Sequence, residues 1–268
     1  MKKGLLLFIA IFTFVFTVKA QNDTLYVMKD GDIVAKYNVN TEIDSIIFYK
    51  PAIVEYSTFI DERDGTEYHS VVIGNQVWMA DNLRYLPTVN ASDNISYSEP
   101  RYYVYDYHGT DVEEAKANPN YTDYGVLYNW AAAMAGASTS VENPSGVQGI
   151  CPEGWHMPSG TEWTELMDYL GGQDVAGGKL KATGTDYWSA PNTGATDEVG
   201  FNARGGGFKA ILSANYLDKK NIGYYYTSTQ HEYETETAYV IFMKYDQIKA
   251  TPQNYNKDYG FSVRCVQD

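Results

Sequence analysis

The sequence predicts an α+β domain of twisted, mainly antiparallel sheets with two short helices and long loops, preceded by a small β-hairpin module. Three observations carry this prediction. First, Ser159 stands three residues before Glu162, so its hydroxyl can accept from the Glu162 amide while the carboxylate reaches back to the Ser159 amide. Trp163, Leu166, Met167 and Leu170 then recur at helical spacing until Gly171-Gly172. A helix of about ten residues is marginal alone in water, so it must lie on a sheet. Second, short segments read as strands: Tyr224 to Thr229, the continuous apolar run Ala238 to Met243, and Phe261, Val263 and Cys265 alternating with Ser262 and Arg264. Third, residues 87–124 are polar, irregular and long for a structureless loop, and residues 184–223 are rich in Gly, Asn, Thr and Asp.

Taken in order, residues 1–20 read as a secretory signal: Lys2 and Lys3, an apolar run from Leu5 to Val18, and Val18-Lys19-Ala20 before Gln21. The competing reading is an uncleaved anchor, but the run is shorter than a typical membrane span. No Cys follows the cleavage point, so a lipoprotein is not expected, and neither is a membrane span once the signal is removed. The destination is the periplasm, the cell surface or the medium. Loss of Lys2, Lys3 and Lys19 takes the formal charge from -14 to -17. A chain this acidic repels nucleic acid and anionic membranes.

Residues 21–50 form the small module. Leu25 and Val27, then Ile33, Ala35 and Tyr37, alternate about Asp30-Gly31-Asp32 as a hairpin, and Ile43 to Phe48 reads as a further strand. Strands this few bury little, so the module either packs on the main domain, the favoured reading, or pairs with a partner's edge. Residues 51–57 are the linker. The main domain, 58–268, opens on a hairpin: Phe59-Ile60, the turn Asp64-Gly65, then Tyr68 to Met79 broken at Gly74-Asn75. Asp61 and Asp64 stand near a glycine, but the twelve-residue calcium loop ending in Glu is missing, and a solvated turn is expected.

From Pro87 to Tyr124 the chain is dense in tyrosine, with Tyr102, Tyr103, Tyr105 and Tyr107 at its centre; Asp111 to Ala117 can make a helical turn or two. Tyrosine combines an apolar face with an edge hydroxyl, which suits sugar or protein contact; the alternative is that the rings cover a wide sheet. Leu127 to Met134 is alanine-rich and predicts the other helix. Gly177-Gly178-Lys179 fails as a phosphate loop, because its spacing from Gly172 is off by one and Leu180 stands where Ser or Thr is needed. Residues 184–223 include Trp188, Asn192, Asp197, Asn202 and Arg204, and Gly205-Gly206-Gly207 suits a tight backbone crossing. Glu232, Glu234 and Glu236 read as a solvated hairpin.

Cys151 and Cys265 are the only cysteines, and in an exported chain two such residues pair. The bond would tie the helix entrance to the last strand. The alternative, a redox or metal-binding thiol, lacks a Cys-x-x-Cys or a nearby histidine spacing.

Several blocks carry a family resemblance. Cys151-Pro-Glu-Gly-Trp-His-Met-Pro-Ser-x-x-Glu-Trp163 resembles the signature of the Fibrobacter succinogenes major paralogous domain family. Val72 to Leu83, Tyr124 to Trp130, Ala176 to Lys181 and Tyr259 to Val266 agree with it, in family order, over roughly residues 58 to 268. The resemblance implies a C-type-lectin-like fold, distantly similar to the formylglycine-generating enzymes, and an exported habitat. It implies no established activity. It makes 184–223 the long-loop region where lectin-like domains hold ligands or calcium, which implies Trp188, Asn192, Asp197, Asn202 and Arg204 as candidate ligand residues, but no Glu-Pro-Asn or Trp-Asn-Asp motif occurs there, and Glu142-Asn143-Pro144 has related letters in another order and place. Calcium therefore has no motif to support it, and no cofactor is expected. Relatives often carry cysteines in the 87–124 stretch; this chain has none, so that loop must be held by packing.

The expected function is a noncatalytic recognition domain, binding a glycan or a cell-surface protein through the loops at 87–124 and 184–223. Catalysis is disfavoured: His69, His108, His156 and His231 are scattered without metal spacing, no Gly-x-Ser-x-Gly elbow occurs, and a bonded cysteine pair leaves no thiolate for an oxidase. Acids distant in sequence could still meet as a catalytic pair. The remaining alternative is a structural subunit of a surface appendage or envelope assembly, docking through the strands of 24–50.

Overall fold

A computed structural model describes residues 24–29, 32–38, 40–41, 54–211 and 214–268. The signal expected at 1–20, the turn expected at Asp30-Gly31 and the strand expected at 43–48 lie outside the described residues. The chain divides into two compact units, residues 1–50 and 51–268. In the first, β1 (Thr24–Lys29) and β2 (Asp32–Asn38) pair antiparallel from Thr24 opposite Asn38 to Lys29 opposite Asp32, with a bulge between Val27 and Met28.

The second unit begins with the antiparallel meander β3 (Tyr56–Asp61), β4 (Thr66–Ile73) and β5 (Gln76–Met79). The first strand thus starts at Tyr56, inside the stretch expected to be linker. There follow β6 (Tyr102–Tyr103), α1 (Val112–Ala117), α2 (Pro119–Tyr124), β7 (Leu127–Tyr128) and α3 (Trp130–Met134). Next come β8 (Trp155–His156), α4 (Gly160–Tyr169), α5 (Gln173–Leu180), β9 (Gly206–Lys209) and β10 (Tyr216–Lys219). The chain closes with β11 (Ile222–Gln230), β12 (Thr237–Lys244), β13 (Ala250–Asn256) and β14 (Val266–Gln267).

One five-stranded sheet has the order β3-β4-β5-β14-β8 and is antiparallel throughout; the other has the order β10-β9-β11-β12-β13, where only β9 and β11 run parallel. The fold is therefore α+β and mainly antiparallel. It carries five short helices among the described residues rather than two. The missed helices have local causes. Asn118 caps α2, whose first residue is Pro119, where proline's fixed φ suits helix initiation. Gly171 and Gly172, at φ of 97° and 96°, do end α4, but Gly172 then serves as the N-cap of α5. Gly177 and Gly178 are interior to that helix because other backbone lies against it: a Cβ on Gly177 would sit 2.1 Å from the Lys249 carbonyl oxygen. Their role is close packing. Gly207, at φ 62°, serves the same purpose, since a Cβ there would lie 2.1 Å from the Leu217 carbonyl oxygen.

Among the described residues the core forms two clusters. Beneath α4, Trp78, Trp163, Leu166, Trp188, Phe201, Tyr225 and Ile241 pack together, with the Trp78 and Trp163 rings 4.7 Å apart. The other gathers Met79, Tyr128, Met157, Tyr224, Tyr226 and Phe261, with Tyr224 stacked on Phe261 at 4.8 Å. Many tyrosines are interior, and their hydroxyls stitch backbone together: Tyr103 donates to the Asn94 carbonyl at 2.7 Å, Tyr128 to Tyr85 at 2.8 Å and Tyr226 to Tyr259 at 2.9 Å. Asn129 brackets the 94–101 loop, donating to the carbonyls of Ser96 and Glu99 and accepting from the Arg101 amide. These bonds hold a loop that has no cysteine to fasten it.

Two sequence expectations are corrected. Asp61 is buried rather than solvated and receives Arg63 through two side-chain bonds, at 2.8 and 2.6 Å, while Arg63 also donates to the Ile150 carbonyl. The final segment is not half-buried: Ser262 and Arg264 are as enclosed as Phe261 and Cys265, because Phe261 stacks on Tyr224 of β11 while Arg264 donates to Asn82 and to the Asn202 carbonyl in the facing loops. Cys151 and Cys265 are bonded, with Cα atoms 5.9 Å apart and a sequence separation of 114. The link joins the approach to β8 with the approach to β14, and those strands are neighbours.

Candidate functional site

Helix α4 carries both a buried polar cluster and a cleft. At its start the capping box forms as its sequence predicts: the Ser159 hydroxyl accepts from the Glu162 amide at 3.2 Å and the carboxylate accepts from the Ser159 amide at 2.8 Å. The same carboxylate does more, accepting from the Ser145 amide and from His156 Nε2, the latter at 2.7 Å. His156 Nδ1 meets Asp268 Oδ1, also at 2.7 Å. Both ring nitrogens face carboxylate oxygens, so the ring donates from both as an imidazolium. Burial works against that charge, yet the hydrogen bonds to Glu162 and Asp268 raise the pKa above the ordinary histidine value. A raised pKa contributes stability below the unfolded value and loses it as pH rises through the folded one. The stability lost on His156→Gln is therefore expected to be larger at pH 6 than at pH 9, by denaturant titration at both. An equal loss at the two pH values would remove the charged clamp.

No attacking group stands in this cluster, and its acids are used in fastening helix α4 to the chain end. Among the described residues no group of three or more His, Cys, Asp and Glu side chains comes together to hold a metal ion. The sequence hint of the cluster was limited to Glu162 at the capping position; His156 and Asp268 are 112 residues apart and only strand pairing joins them.

The loop residues predicted from the sequence are spread through the fold. Tyr103 and Trp188 are fully buried, and the Trp188 indole donates to the Ala203 carbonyl. Asn192 is buried and donates to the carbonyls of Ala182 and Gly184. Asp197 accepts from the Asn202 amide at 2.7 Å, and burial pushes its carboxyl up to about 6. Arg204 lies over the Tyr187 ring at 4.0 Å and donates to the Asp123 carbonyl. Tyr102 stands edge-on to Tyr128, Tyr105 is tilted against Tyr216, and Tyr107 receives the Asp111 amide. These contacts fasten loops to the framework, and the structure does not gather the nine residues at one surface.

What it does gather lies on the exposed side of α4. A cleft of about 660 Å³ opens between the helix and the turn from β4 to β5. Its walls carry Asn75 and Gln76 from the turn, Asn143 from the preceding loop, and Thr164, Glu165, Asp168 and Tyr169 from the helix. The Tyr169 ring is 63% exposed. It rests on the turn, because Gly74, at φ 63°, has no side chain; a Cβ there would be 3.1 Å from the ring. The Asn143 amide donates to Glu165 at 2.6 Å, and Gln76 is fixed by bonds to the Glu162 carbonyl and the Trp78 indole. An aromatic face propped open to solvent, beside preset amides and carboxylates, can stack on a ring and bind hydroxyl groups around it. The sequence signal for this site was Tyr169 itself, an aromatic at the end of an amphipathic helix and off its apolar stripe.

The fold and the cleft define a disulfide-closed, mainly antiparallel α+β domain with a polar, aromatic-lined cleft on its central helix. The chain belongs to the Fibrobacter succinogenes major domain family, whose model matches residues 71–267. Comparison with curated proteins and with solved structures finds no match. Among the described residues no helix is long and apolar enough to cross a membrane.

Proposed function

We propose that the chain is an exported, noncatalytic recognition domain, C-type-lectin-like in architecture, that binds a glycan in the cleft beside Tyr169. The observation that carries this reading is the Tyr169 ring, exposed yet seated on Gly74 and flanked by Asn75, Asn143, Glu165 and Asp168. A packed ring in water spends little conformational entropy on binding, and the amides and carboxylates around it supply the donors and acceptors that hydroxyl groups need. The Cys151–Cys265 bond leaves neither thiol for chemistry, which supports a binding role over an oxidase. This reading puts the site on the central helix, whereas the sequence expectation put it in the loops at 87–124 and 184–223. Binding is expected to persist after chelation.

A glycan screen of the mature chain, with and without chelator, tests the reading. Tyr169→Ala is expected to weaken binding about tenfold or more while leaving the unfolding midpoint within a degree or two, as an exposed substitution does. Unchanged binding by this variant would remove the cleft.

One observation favours a second reading, the assembly subunit: Tyr26, Val27, Ile33, Val34 and Tyr37 of the β1–β2 hairpin are exposed apolar side chains. Deleting residues 21–50 separates the two readings, because a subunit would lose incorporation whereas a free-standing binder keeps its glycan.

A further inference from the structure

The cleft does not stand alone on α4. A second depression of about 400 Å³ adjoins it on one flank of the helix, sharing Ile73 and Tyr169 and adding Glu55, Val72 and Glu198. A third, of about 370 Å³, adjoins it on the other flank, sharing Thr161 and Thr164 and adding Val141, Tyr239 and Pro252. The three meet edge to edge across a helix that is about 10 to 12 Å wide with its side chains. That path is longer than one sugar ring. Its lining carries four carboxylates, Glu55, Glu165, Asp168 and Glu198, and no Lys, Arg or His. Lys179 is paired with Glu198 at 3.0 Å and does not line the path. The charge changes along the path: carboxylates occupy the Tyr169 end, and the Tyr239 end is uncharged and largely apolar.

We infer that this surface takes an uncharged oligosaccharide laid across α4 through three adjoining subsites, with Tyr169 and Tyr239 as its aromatic supports. The inference rests on the glycan reading above and adds ligand length and charge to it. An anionic chain would bring its carboxylates or sulfates against four of the same sign on a molecule already strongly acidic. A single sugar would fill only the central cleft and leave both flanks in water. A linked chain gains at each flank with no second loss of translational freedom, so affinity grows with length until the subsites are filled.

The test is calorimetric titration of the mature protein with neutral hexose oligomers of one to six units and with a uronic acid hexamer. Affinity for the neutral series is expected to rise about tenfold or more from the single sugar to the longer oligomers and then level off. The uronic acid hexamer should bind at least about tenfold more weakly than its neutral counterpart at low salt, with the difference shrinking at high salt. Tyr239→Ala should lower affinity for the long oligomers and leave the single sugar unaffected. Val141→Asp, at an exposed loop position, should do the same with no core residue disturbed. Tyr169→Ala should weaken every length. Equal affinity for all lengths, or a Tyr239→Ala and Val141→Asp pair that binds long oligomers normally, overturns the extended path while the glycan reading stands. A uronic acid hexamer that binds as well as the neutral one overturns the charge assignment. Failure of every oligomer overturns both the inference and the reading beneath it.

Discussion

Replacing both Cys151 and Cys265 by serine is expected to lower the stability of the domain by about 4.8 kcal/mol at 25 °C, the chain-entropy value for a loop of this length. The bond closes 114 residues, so its loss frees nearly half the chain in the unfolded ensemble while removing little from the folded one. For a domain of this size the midpoint should fall by about 10 to 20 °C. Geometry supports the full value, because the linked segments lead into β8 and β14, which are paired strands: Val266 lies opposite His156 and Gln267 opposite Trp155. The fold holds the sulfurs together independently of the bond. Guanidinium titrations of the oxidised protein and of the double serine variant measure the difference. A change below about 1 kcal/mol would mean that the unfolded chain is already constrained elsewhere.

The second large effect is expected at Arg264. Its guanidinium is fully enclosed and held by oxygens of uncharged groups: Nε donates to the Asn82 side chain at 2.9 Å and Nη2 to the Asn202 carbonyl at 2.8 Å. Nη1 donates to the carbonyls of Phe201 and Met79. The Phe201 ring lies 4.3 Å from the guanidinium carbon. Burial pulls the pKa down, offset in part by Tyr225, Asp81 and Asp197. Arg264→Leu keeps much of the volume but deprives four acceptors of their donor, and each buried acceptor left alone costs about 1 to 3 kcal/mol. Because the neighbouring loops can relax, the net loss is expected near 3 to 5 kcal/mol. Arg264→Lys should recover only part of it, since a single ammonium cannot reproduce a planar fork with donors on several sides. Chemical denaturation of the two variants checks the order, and a leucine variant as stable as the lysine one would show that the carbonyls find other partners.

Much of the framework was legible because its signals are local. The Ser159–Glu162 box, the apolar stripe on α4, the glycines that end it and the strands at 224–229 and 238–243 each depend on residues within one or two turns of one another. The cysteine pairing was legible for another reason: only one partner existed. The interior of the last segment was not. Alternation at 261–265 is a rule for a sheet with one wet face, and here loops cover that face, so Arg264 turns inward to Asn82, 182 residues away. Lys181 was equally illegible: its ammonium is buried among the carbonyls of Thr193, Lys244 and Gln247, and burial lowers its pKa to about 8.

The tyrosine-rich loops carried the expectation of a binding surface because composition cannot distinguish a ring that meets a ligand from one that braces a loop. Tyr103 and Trp188 brace, whereas Tyr169 is exposed. From its sequence alone this chain determined its family, its α+β character, its central capped helix and its covalent link, since these are written in neighbouring residues or in a pairing with no alternative. Tertiary structure alone decided which charges are enclosed, which rings meet water and where a cleft opens, because burial is a property of surfaces brought together from distant parts of the chain.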